Sequence, residues 1–221
     1  MEKFPEQRIA AKLDQFGRLS VKMADVRSSM LEFLDMCERI QTRGPWRALR
    51  NIDWGADRHH ATQWLNDLLD AYPIPLNVRG LWFAAPEVEY SKPSTWVVGS
   101  GNFDTKDFDW ACQKVWPPEI APRRQRRPRA QSTFRLSALS QVQRIFHLEP
   151  RAKQTMKMLD AAQFFRYALP LGYTIALLAD VLPLVWPTLL LGGARRRGVA
   201  CGFQSGDGVG LGWITKSGWS T

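Results

Sequence analysis

The sequence predicts an α+β fold, an antiparallel sheet of hairpins (about 78–101 and 198–215) packed with several helices. Three observations carry that prediction. Apolar residues recur at three- and four-residue steps early in the chain, the period of one helix face. Two runs of β-forming residues, 78–88 and 94–101, flank a polar YSKP. Two more runs, GVACGFQ (198–204) and GVGLGWIT (208–215), flank the turn Ser205-Gly206-Asp207-Gly208. The order helices, hairpin, helices, hairpin implies one antiparallel sheet with helices on one face.

Each element has its own signal. Val21, Met23, Val26, Met30, Phe33, Leu34, Cys37 and Ile40 mark one side of a helix over about 20–40. Ile9, Leu13 and Phe16 extend the pattern upstream, but Gly17 weakens it, so 6–18 reads as a separate helix or a strand. Gly44-Pro45 stops the helix. Ala61, Trp64, Leu65, Leu68 and Leu69 predict a second amphipathic helix over 57–72, with Asp57 as its cap and Pro73 and Pro75 as its stop. Leu136, Leu139, Val142, Ile145 and Phe146 predict a helix over 136–147, and Met156, Met158, Leu159, Ala162 and Phe165 another over 152–168. Prolines divide the apolar stretch that follows into a helix around 171–182 and a short segment around 184–191. One domain, 1–221, with a basic linker or insert at about 120–131, accounts for the whole.

Charge and composition narrow the classes. Net charge is +9 and the pI is about 9.8, a balance that suits nucleic acid, an anionic membrane or an acidic protein partner. Much of the excess is local, in Arg123, Arg124, Arg126, Arg127 and Arg129 and in the run Arg195, Arg196, Arg197. Solvated linkers are the plain explanation of such runs. The cysteines, Cys37, Cys112 and Cys201, are odd in number and far apart, which argues against a disulfide framework. That and an N-terminus without an apolar leader point to the cytoplasm. Residues 168–193 are apolar enough to span a bilayer. Asp180 and prolines 170, 183 and 187 favour a buried core over a membrane segment.

The segment GSGNFDTKDFDWACQKVWPPE (99–119) stands apart. Loops are small and polar as a rule, and this one carries Phe103, Phe108, Trp110 and Trp116 beside Asp104, Asp107 and Asp109. It must pack on a core or present a binding face. No complete catalytic set accompanies it. Lys106 and Phe108 occupy the positions between the aspartates, and the turn glycine of a calcium loop is missing. Cys112 has no histidine nearby in sequence and reads as a buried structural cysteine. His59-His60 lacks partners for a metal and reads as surface. Gly99-Ser100-Gly101 falls short of a nucleophile elbow, and the glycines at 206–210 lack the lysine of a phosphate loop and read as a hairpin turn. No metal or cofactor and no enzymatic activity are expected.

Four blocks, GLWF (80–83), GSGNFD (99–104), DFDWACQKVWPPE (107–119) and GVACGFQSGDGVGLGW (198–213), resemble a group of small bacterial cytosolic proteins found beside polymorphic toxins. That group is read as immunity proteins, including partners of restriction-endonuclease-like toxins. The resemblance implies a protein that binds and neutralises a cognate toxin, its partner, by protein–protein inhibition. It implies toxin-binding residues among Asp104, Asp107, Asp109, Trp110, Trp116, Arg123, Arg124, Arg126 and Arg127. The basic insert at 122–130 lies outside the resemblance. Inhibitors of nucleases are commonly acidic, so a basic one must meet an acidic region of its toxin or set arginines on the catalytic carboxylates. Nucleic acid and membrane remain alternative partners, and a homodimer through the first helix stays open.

Overall fold

The computed structural model describes residues 6–23, 25–40, 42, 44–86, 93–117, 133–147, 156–191, 193–203 and 207–220. Among these are helices α1 (Glu6–Ser20), α2 (Val26–Ile40), α3 (Trp46–Arg50), α4 (Arg58–Ala71), α5 (Ser137–His147) and α6 (Met156–Leu189). The strands are β1 (Gly80–Ala84), β2 (Ser94–Ser100), β3 (Lys114–Trp116), β4 (Thr133–Arg135), β5 (Arg196–Gly202), β6 (Gly208–Thr215) and β7 (Gly218–Ser220). The α+β class is as expected, and one sheet joins both hairpins in the order β3-β2-β1-β5-β6-β7, with β4 also paired to β2. The sheet is mixed, however. The hairpins meet through β1 and β5, which run parallel from Gly80 opposite Gly198 to Ala84 opposite Gly202. Nothing local to either hairpin sets that joint. It is made across more than a hundred residues of intervening chain, so sequence pattern alone did not expose it. The basic linker at about 120–131 and the turn residues 90–92 and 204–206 lie outside the described residues.

Strand alternation sorts the sheet into two faces. Leu81, Phe83, Val97, Val199, Cys201, Val209 and Ile214 belong to a large apolar cluster that includes residues of all the helices and centres on α6. Trp82, Val98 and Ala200 point the other way, into a small separate cluster with Trp110. β1 is buried along its whole length because both faces are covered.

Helix α6 runs unbroken through Pro170, Pro183 and Pro187, where a helix over 152–168, another around 171–182 and a short segment around 184–191 were expected. A helical proline leaves the carbonyl four residues earlier without its helical donor. For Pro183 that carbonyl is Ala179, which accepts the Trp219 indole N–H of β7 at 3.3 Å. Tertiary packing thus supplies the donor that the proline removes. The span Tyr167–Leu189 is long and apolar enough to cross a membrane, and 83% of its most apolar window is buried within this fold. The Asp180 side chain is only 4% exposed, held against Arg58 Nε at 2.9 Å and the Val26 backbone N–H at 3.1 Å.

The first helical stripe is two helices. The break falls at 21–25 rather than near Gly17. Asp25 starts α2 by accepting from Ser28 N at 2.8 Å and Ser28 Oγ at 2.9 Å. These hydrogen bonds hold its carboxyl below the ordinary aspartate range. Asp57 precedes α4 as expected but makes no side-chain bond to that helix. It accepts instead from Ser137 N at 3.0 Å, from Ala138 N at 3.1 Å and from the Ser137 hydroxyl, capping α5 eighty residues away. Tyr173 Oη of α6 donates to it at 2.8 Å. Burial, and then the Asp57 charge, push the Tyr173 phenol upward.

The run Arg195–Arg197 is not a solvated linker. Arg197 points into the core and is completely buried. It donates to the carbonyls of Leu189 at 2.7 Å, Pro75 at 3.2 Å, Ile74 at 3.3 Å and Val78, tying the end of α6 to the turn before β1. Burial lowers its pKa. Arg196, one residue earlier, points to the other face, as strand alternation requires.

Candidate binding cleft on the second face of the sheet

The second face is floored with glycine. Gly80 and Gly198 lie opposite each other in the β1–β5 pair, and Gly198 is opposite Trp213 in the β5–β6 pair. A Cβ at Gly80 would come within 2.6 Å of the Asn102 carbonyl oxygen and 2.8 Å of the Trp110 ring. A Cβ at Gly198 would overlap the Phe103 ring. A Cβ at Gly208 would come within 2.5 Å of Trp82. The glycines near the C-terminus therefore do more than turn a hairpin. Without side chains they let the β2–β3 connection lie flat on the sheet.

Aromatic rings fill the space. Phe103 meets Trp110 edge-on at 5.3 Å and Trp213 at 4.7 Å, and Trp82 meets Trp110 at 6.1 Å. Such edge-to-face contacts align the positive ring edge with the negative face. Asp109–Cys112 form one turn of 3₁₀ helix. Trp110 turns inward there and donates its indole N–H to the Asp104 carbonyl at 2.9 Å. Cys112 turns outward and is exposed, contrary to the buried role expected of it.

The connection encloses an open cleft of about 380 Å³. Asp104, Asp107 and Asp109 line it with Arg79, Asn102 and Gln113, and the rings of Phe103, Trp110 and Trp213 form its walls. Two local bonds shape the acidic turn. Lys106 N–H donates to Asp104 Oδ1 at 2.8 Å, and Asp109 N–H donates to Asp107 Oδ1 at 3.0 Å. Asn102 Nδ2 reaches Gln113 Oε1 at 3.0 Å across the rim. Among the described residues no ion pair neutralises the three aspartates. The Arg196 guanidinium lies 4.2 Å from the centre of a Trp213 ring.

The structure thus gathers Asp104, Asp107, Asp109 and Trp110 at one place. Trp116 is elsewhere: it packs into the helix-side cluster and donates to the Tyr72 carbonyl at 2.9 Å. At 2% exposure it offers a partner no surface, which corrects its assignment as a contact residue. Arg123, Arg124, Arg126 and Arg127 lie outside the described residues. Sequence reading missed Arg79, Asn102, Phe103, Gln113 and Trp213 as parts of one site. The available signal was register: small residues at 80, 198, 200 and 202 fall on one face of their strands.

Elsewhere the chemistry is sparse. His59 and His60 are exposed, as expected. Among the described residues no group of three or more His, Cys, Asp or Glu side chains is placed to hold a metal ion. Comparison with protein-family models, curated proteins and solved structures finds no match to this chain.

Proposed function

We propose that this chain is an immunity protein that binds a cognate bacterial toxin in the cytoplasm and neutralises it by protein–protein inhibition. The observation that carries the reading is the acidic turn at 104–109. It sets three exposed carboxylates on a seat of packed rings, in a chain whose net charge is +9. A rigid, preorganised face lowers the ordering cost of association, and inhibitors depend on that. The similarity of the four sequence blocks to immunity proteins supports the same reading. The function requires no catalytic set, and the three carboxylates would pair locally with basic groups of a toxin whose wider surface suits the overall charge of +9 by being acidic. Trp110 is then the anchor beneath the face rather than a contact on it.

The test is a pull-down of the tagged protein from its native bacterium at moderate salt with nuclease present, read by mass spectrometry. One stoichiometric toxin-like partner that survives high salt is the expected result. Recovery of nucleic acid and ribosomal proteins alone, lost as salt rises, would remove the reading, because phosphate contacts weaken steeply with salt.

A further inference from the structure

We infer that the cleft is a socket for an arginine side chain of the neutralised partner, a finer statement that rests on the immunity reading above. Its volume of about 380 Å³ is at the small end of ligand sites, roughly 300–1,000 Å³. That suits a side chain better than a whole element. The lining offers three carboxylates, Asp104, Asp107 and Asp109, and ring walls from Phe103 and Trp213. The lining itself sets three carboxylates against one guanidinium, that of Arg79, so the cleft keeps a local negative excess, while Arg196 on Trp213 and Lys106 of the turn lie outside the lining.

Carboxylates beside an indole select a cation that is planar and donates in several directions. A guanidinium meets both demands, since it stacks on rings and forks onto carboxylates, whereas an ammonium is a compact, strongly hydrated point charge. The chain supplies its own example: Arg196 already holds its guanidinium 4.2 Å from a Trp213 ring centre. Trp213, Phe103 and Trp110 are locked by edge contacts, so the ring walls are formed before any partner arrives.

The probe is a blocked Gly-Arg-Gly tripeptide titrated into the full chain, followed through the indole N–H signals of Trp110 and Trp213. Saturable shifts are expected with the arginine peptide, weaker ones with Gly-Lys-Gly and none with Gly-Glu-Gly. Replacing Asp104, Asp107 and Asp109 by Asn should weaken binding about tenfold or more, with an unchanged melting temperature because all three are exposed. Asp107→Asn alone gives a smaller loss and serves if the triple variant melts early. Absent shifts, equal shifts with the lysine or glutamate peptide, or Asn variants that bind unchanged would each overturn the socket. Toxin capture is scored apart from this. Capture without arginine-peptide binding removes the socket and leaves the immunity reading. Peptide binding without capture keeps the guanidinium site and removes the immunity reading.

Discussion

The two faces of the sheet solve burial in opposite ways. On the helix side, branched and aromatic side chains stand up from the strands and interlock with α1, α2, α4 and α6. On the far side glycine and alanine at 80, 198, 200 and 202 leave room around Trp82, Val98 and Trp213, and a connection without long regular structure fills it. The first is the close-packed core of a layered fold. The second is a thin seat, and its thinness leaves polar turn atoms exposed around a cleft. Stability sits on one face and a candidate contact surface on the other.

The largest expected effect comes from the helix side. Phe83 is completely buried in the main cluster. Phe83→Ala should cost about 3–5 kcal/mol, as truncation of a core aromatic does. Urea denaturation followed by both tryptophan fluorescence and far-ultraviolet circular dichroism should show one cooperative loss. A cost below about 1 kcal/mol would mean that the helix side is not the load the fold rests on.

Asp57 probes the same face through polarity. Its carboxylate holds the start of α5 and the Tyr173 hydroxyl together. Asp57→Ala should cost about 3 kcal/mol, since charged hydrogen bonds are lost and buried donors are orphaned. The effect should appear in melting and in faster hydrogen exchange at 137–139. If only α4 loosened, Asp57 would be an ordinary local cap.

How much of this was legible can be judged from single residues. Periodicity located Val26, Met30, Phe33 and Leu34 correctly, because a helix face is a local property. Asp57 was recognised as a cap, but the helix it caps is α5, and no local pattern records a partner eighty residues away. Pro183 argued for a break, and the donor that compensates it, Trp219, lies in the last strand. The aromatic loop had to pack or bind, and the acidic turn with Trp110 was singled out. Arg79 and Trp213 joined it only through strand register. Arg196 and Arg197 read as one charge run, yet one stacks on an indole and the other is buried.

A change on the far side should separate the faces. Gly198→Ala places a methyl where the Phe103 ring lies. Overpacking of this kind costs about 1–3 kcal/mol. Phe103 is wedged between Trp110 and Trp213, so the ring cannot yield alone and the cost should fall toward the upper end, felt first over 101–113. Hydrogen exchange should quicken there while the strands and α6 keep their protection. Toxin capture should fall with it. Global unfolding would show instead that the seat and the core form one cooperative unit.

The smallest effect is on the cysteines. Cys201 stands on the helix side and is buried, as is Cys37, whereas Cys112 belongs to the far side and is exposed. Burial pushes the Cys37 and Cys201 thiols well above the ordinary range. At pH 8 an aromatic disulfide reagent should therefore label Cys112 promptly, and label the other two only as the fold opens. The same shifts fix a sign. A thiol held protonated in the folded state and free to ionise in the unfolded one favours unfolding as pH rises above about 8.5. Each buried cysteine then removes up to about 1.4 kcal/mol per pH unit above that value. Replacing Cys201 by Ala should lower stability near neutrality and flatten its alkaline decline, while Cys112→Ala, at an exposed side chain, should leave stability near neutrality unchanged. Prompt labelling of all three thiols would show that the helix side opens as readily as the far side, and the distinction between the faces would go with it.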